Sequence, residues 1–65
     1  MKLSDFIDGL LIIQKYEKDQ YCMQAEHDEM FISSIDLPMS EEDEAQMLKL
    51  GWRKDDYSDS WHVFV

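Results

Sequence analysis

Apolar residues fall at helical spacing near the start of the chain, where Phe6, Leu10 and Ile13 recur at steps of four and three and Ile7 and Leu11 widen the stripe. The pattern predicts an amphipathic helix over residues 4–18, capped by Ser4, with Asp5 and Asp8 in a first turn where carboxylates complement the helix dipole. Gly9 lies inside this helix. A glycine there costs about 1 kcal/mol relative to alanine unless another group packs close to it.

The period changes after Asp19. In QYCMQAEH, residues 20–27, Tyr21, Met23 and Ala25 alternate with Cys22, Gln24 and Glu26, as in a strand. A second apolar stretch, MFISSI at 30–35, follows and predicts a hairpin turning at Asp28-Glu29. Pro38 ends that strand.

Residues 40–50 then read as a short helix. Ser40 stands at its cap, Asp43 three residues on takes the place of the usual Glu or Gln of a capping box, and Met39 is placed to staple the first turn. Ala45 lets this helix approach a sheet, Met47, Leu48 and Leu50 supply apolar contacts, and Gly51 sits where a left-handed cap is wanted. The remaining residues alternate again. WRKDDY and SWHVFV predict a second hairpin around a polar turn from Asp55 to Ser60.

The element order is therefore α-β-β-α-β-β. Connections this short favour an α+β fold, a small antiparallel sheet of two hairpins with both helices on one face, in a single domain spanning residues 1–65. The predicted core is Phe6, Leu10, Ile13, Met23, Ala25, Phe31, Leu48, Trp52, Trp61 and Val63.

Composition narrows what such a domain does. A chain of 65 residues buries only roughly 60% of the surface its unfolded form exposes, which leaves little room for a deep substrate pocket. With 45% hydrophobic residues, it is too apolar to be a disordered acidic tail. A single cysteine, Cys22, fits a reducing compartment, and no signal peptide or membrane span is visible, so a soluble, cytoplasmic, monomeric protein is expected.

Cys22, His27 and His62 lack the paired spacing of a zinc site. No G-x-S-x-G elbow surrounds any serine, and Gly9 and Gly51 form no phosphate loop. The expectation is a non-enzymatic protein without metal or cofactor.

Charge gives the clearest functional signal. Fifteen acidic residues against six basic ones leave a net charge of -9, which repels nucleic acid and selects a basic partner. The acids cluster at Asp36 and Glu41 to Glu44, at Glu26, Asp28 and Glu29, and at Asp55, Asp56 and Asp59. One or two carboxylates suffice to support a helix start, so four in a row exceed that need. Carboxylates on a rigid small scaffold can imitate the phosphates of DNA. On this reading Glu41, Glu42, Asp43, Glu44, Asp55, Asp56 and Asp59 contact the partner, with Trp52, Tyr57 and Trp61 adding aromatic contacts beside them. The competing reading is an interaction module whose acidity serves solubility alone.

The segments QKYEKDQYCMQAEHDEMFIS, SEEDEAQMLKLGW and DSWHVFV, with their K-Y, A-E-H-D, S-E-E-D, L-G-W and W-x-x-F-V patterns, resemble a family of short acidic proteins of phages, prophages and bacterial genomes. The resemblance runs from about Gln14 to Val65. It implies a mobile-element setting in the host bacterial cell, where small acidic monomers include anti-CRISPR proteins that block the basic nucleic-acid-binding surface of a CRISPR effector or other host defence complex. It carries no contact residue over to this chain.

Overall fold

A computed structural model describes residues 1–65. Its elements are α1 (Leu3–Gln14), β1 (Met23–Glu26), β2 (Glu29–Ser34), α2 (Glu41–Lys49), β3 (Arg53–Asp55) and β4 (Ser60–Phe64), so the α+β class and the α-β-β-α-β-β order are as expected. The four strands form one antiparallel sheet in the order β1-β2-β4-β3. Pairing of β2 with β4 joins the two hairpins into one sheet, with β1 and β3 at its edges. None of the helices is long and apolar enough to cross a membrane.

Antiparallel partners share a face, so the register sorts the side chains. Ile32 opposes Trp61 and Met30 opposes Val63, and these point to the side where Ile13 of α1 and Met47 of α2 meet them. The buried cluster is Ile13, Ile32, Met47, Trp52, Trp61 and Val63, with Phe6, Leu10, Met30 and Leu50 packed against it. Fully burying side chains of this size contributes about 1.5–3 kcal/mol each. The opposite face has no helix over it. There Gln24, Phe31, His62 and Arg53 make one row across all four strands. In that row the His62 ring lies 4.9 Å from Phe31 and its Nε2 is 2.9 Å from the Glu29 carboxylate.

Several local expectations change. The first helix begins one residue before Ser4, with Lys2 at the cap and no side-chain bond there, and it stops at Gln14 rather than Lys18. Beyond it the chain closes with a three-residue bond from Tyr16 N–H and a four-residue bond from Glu17 N–H to the same Ile13 carbonyl, and both side chains turn to long-range partners. The first hairpin turns at His27-Asp28, between Glu26 and Glu29, with His27 in the left-handed region at φ 56.

Met23, Ala25 and Leu48 are exposed rather than core, and Ala45 is exposed too. Met23 and Ala25 face the helix side but lie on an edge strand that neither helix covers. In α2 the inward face is Asp43, Glu44, Met47 and Leu50, at steps of three and four, and Leu48 falls about 100° away from Met47. Phe31 is half-buried on the open face. Ile32 and Met47 take the central places instead.

Two glycines have defined duties. Gly51, at φ 96, lets Trp52 N–H reach the Met47 carbonyl (3.0 Å) while its own N–H reaches that of Leu48 (3.1 Å), the Schellman closure of α2. This turn delivers Trp52 into the core. There its indole packs against Gly9, where an added Cβ would sit 2.0 Å from Trp52 Nε1. The same Nε1 donates to the Asp5 carbonyl at 3.3 Å. Gly9 is therefore the seat of Trp52, the close packing that a helix-interior glycine requires.

Candidate partner-binding surface

The seven acidic positions singled out by the sequence separate into two groups. Ser40 caps α2 as expected, accepting from the Asp43 N–H at 3.1 Å. The other half of the capping box is altered: the Ser40 N–H donates to the Tyr16 hydroxyl oxygen at 3.2 Å, and the Asp43 carboxylate turns to α1 instead. It receives the Tyr16 hydroxyl at 2.5 Å and the Lys15 ammonium at 2.7 Å. Lys15, followed by Tyr16, holds the Asp43 carboxyl below the usual carboxylate range, and Asp43 in turn raises the Lys15 ammonium. Asp43 is thus the clasp between the end of α1 and the start of α2.

Glu44 is also engaged, 2.6 Å from Lys54, whose ammonium lies 5.7 Å from the centre of the Trp61 ring. Asp55 organises the β3–β4 loop, accepting from the Ser58 hydroxyl at 2.6 Å and the Tyr57 N–H at 3.3 Å. The Ser58 hydroxyl bond is the main cause that lowers its pKa. Asp43, Glu44 and Asp55 therefore serve the fold.

Glu41, Glu42, Asp56 and Asp59 are exposed and make no side-chain hydrogen bond or ion pair. Glu41 and Glu42 stand in the first turn of α2, and Asp56 and Asp59 in the β3–β4 loop. The Asp59 carbonyl accepts from Ile35 N–H at 3.2 Å, which sets the β3–β4 loop beside Asp36, and the Lys54–Glu44 pair ties the start of β3 to the first turns of α2. The third acidic cluster lies elsewhere: Glu26, Asp28 and Glu29 surround the β1–β2 turn at the opposite end of the strands. Trp52 and Trp61 are buried in the core, which removes them as surface anchors, whereas Tyr57 is fully exposed in the β3–β4 loop.

Sequence reasoning missed a second surface. Ile7 (44% exposed) and Leu11 (55%) on α1 and Met23 (56%) on β1 flank a groove of about 300 Å³ floored by Ile13 and Ile32. Its rim carries Glu17 and Asp19. Glu17 receives the Ser33 hydroxyl and the Asp19 N–H at 3.0 Å, bonds that lower its pKa in that order of importance. Ser33 is the extra residue of a bulge in β2, at φ 60, and its N–H donates to the Cys22 carbonyl at 2.8 Å. The signal for this surface was the width of the apolar stripe in α1. Seven of its residues, Leu3, Phe6, Ile7, Leu10, Leu11, Ile12 and Ile13, are apolar, more than one core-facing side can absorb.

No three His, Cys, Asp or Glu side chains gather as a group able to hold a metal ion. In comparisons with known proteins, no family model, no curated protein and no solved structure matches the chain. The class defined by fold and surface is a small α+β protein with acidic clusters at both ends of its strands and one partly exposed apolar groove.

Proposed function

We propose that the protein is a non-enzymatic binding protein whose free carboxylates occupy a basic, nucleic-acid-binding surface of a host protein. The observation that carries this reading is that Glu41, Glu42, Asp56 and Asp59 are exposed and unpaired, while the cations nearest the α2 start, Lys15 and Lys54, are taken up by Asp43 and Glu44. Carboxylates left free on a rigid scaffold keep their charge for a partner. In a cationic channel they stand in for phosphates and accelerate encounter. The family resemblance described above supplies the setting, a phage-type inhibitor of a host defence complex such as a CRISPR effector.

The test is displacement of fluorescent target DNA from a purified CRISPR effector complex, at low and at high salt. Wild-type protein is expected to displace DNA at low salt and progressively less as salt rises. The combined variant Glu41→Gln, Glu42→Gln, Asp56→Asn, Asp59→Asn is expected to be about tenfold weaker or worse, since it loses four free charges and no internal bond. Equal inhibition by the neutralised variant, or none by wild type, contradicts the reading. If the acids serve solubility alone, the variant precipitates more readily while its binding is unchanged.

A further inference from the structure

The two edges of the sheet are finished differently. On β3 the edge is three charged residues, Arg53, Lys54 and Asp55, and the long cationic chains are tied down: Lys54 to Glu44 and Arg53 Nη1 to the Leu48 and Trp52 carbonyls at 3.0 and 2.8 Å. Charged chains of this kind blunt an edge against further pairing. On β1 the edge is Met23-Gln24-Ala25-Glu26, with no Lys, Arg or Pro and with all four residues exposed. The Ser33 N–H bond to the Cys22 carbonyl points Cys22, and by alternation Gln24 and Glu26, toward β2. The backbone N–H and C=O groups of Met23 and Ala25 therefore face outward. The apolar groove lies directly beside this open edge, between Met23 and the Ile7 and Leu11 side chains of α1.

We propose that β1 and this groove form a docking site for an extended, basic segment of a partner protein. The segment adds as a fifth strand along Met23–Glu26, sets an apolar side chain between Leu11 and Met23, and brings a Lys or Arg to Glu17 and Asp19. Three observations act together. Unpaired backbone on an edge strand supplies main-chain hydrogen bonds, and an adjoining pocket selects alternate side chains, which is how strand addition obtains affinity and specificity. The half-exposed Ile7, Leu11 and Met23 supply apolar area that the fold leaves unused. The charge of the lining selects the occupant, for Glu17 and Asp19 are its only ionised side chains and no cation lines it. A second copy of this chain is the wrong complement: it has the same carboxylates and a net charge of -9, so pairing two β1 edges brings like charges together.

This proposal uses a different surface from the free carboxylates of α2 and the β3–β4 loop, and the two fail separately. The probe is a nine-residue peptide of alternating lysine and valine, titrated into the 15N-labelled protein. Expected are chemical-shift changes at Leu11, Met23 and Ile32 and new exchange protection of the Met23 and Ala25 amides. The same peptide with glutamate for lysine should bind at least tenfold more weakly. Backbone N-methylation along one of the peptide's two edges should abolish binding, and along the other leave it intact. Leu11→Ser, at a half-exposed position, should leave the remaining spectrum unchanged and weaken the lysine peptide about tenfold, while the variant neutralised at Glu41, Glu42, Asp56 and Asp59 still binds it. The proposal is overturned if the peptide binds without protecting Met23 and Ala25, if the glutamate peptide binds equally well, if Leu11→Ser has no effect, if no binding occurs at millimolar peptide, or if sedimentation shows a dimer that already protects the β1 edge.

Discussion

The two helix-hairpin units have the same element order and unequal shares of the core. The second, α2-β3-β4 with the turn before β3, contributes Met47, Trp52, Trp61 and Val63 to the buried cluster, whereas the first contributes Ile13 and Ile32. The second is also closed at both ends of its helix, by Ser40 and by the Gly51 turn, while the first helix has no side-chain cap. The first unit keeps its apolar residues where a partner can reach them. In a domain this small the asymmetry is instructive, since one half can hold the fold and leave the other available for contact.

The sharpest way to break this comparison is at the single point where the first unit receives the second. Gly9→Ala improves helix propensity by about 1 kcal/mol, yet places a methyl group inside the Trp52 indole. Overpacking on this scale costs about 1–3 kcal/mol or more, and here the displaced group is a buried ring rather than a flexible tip. Strong destabilisation or failure to fold is expected in thermal and urea melts. A variant as stable as wild type would show that Trp52 is not seated on α1.

A smaller effect separates two methionines. Met47→Ala is expected to cost about 2–5 kcal/mol, and Met23→Ala less than about 0.5 kcal/mol, when urea midpoints are compared. Equal losses would mean that β1 is as buried as α2.

The clasp between the units titrates. Because the Asp43 carboxyl is lowered by Lys15 and Tyr16, its contribution is fully present above the unfolded value of about 3.9 and is lost as pH falls through the lower folded one. Glu17 and Asp55 are lowered as well and act in the same direction. Melting curves from pH 6 down to pH 2 should show stability falling below about pH 4. Asp43→Asn should be less stable at pH 6 and show a shallower acid slope. An unchanged slope would remove Asp43 from the clasp.

Much of the fold was legible in the chain because it is written locally. Alternation located the strands, and Ser40 and Gly51 marked both ends of α2. The element positions that failed depend on distant pairing. Met23 and Ile32 face each other across β1 and β2 in similar apolar surroundings, yet one is 56% exposed and the other 1%. What separates them is that β2, and not β1, pairs with β4, a choice made some 30 residues away. The acidic run was legible as charge but not as two roles. Helical geometry turns Asp43 and Glu44 toward the face that contains Met47, and their partners, Lys15 and Lys54, come from other elements. The apolar groove was half legible, in the excess width of the first helix's stripe.

Amide hydrogen exchange of the free protein tests the unequal division most directly. The Trp61 and Val63 amides should exchange only through global unfolding, while those of Gln24 and Glu26, which face β2, should exchange through a local opening at least about a hundredfold faster. Equal protection of β1 and β4 would contradict the account, because the first hairpin would then be as firmly held as the second.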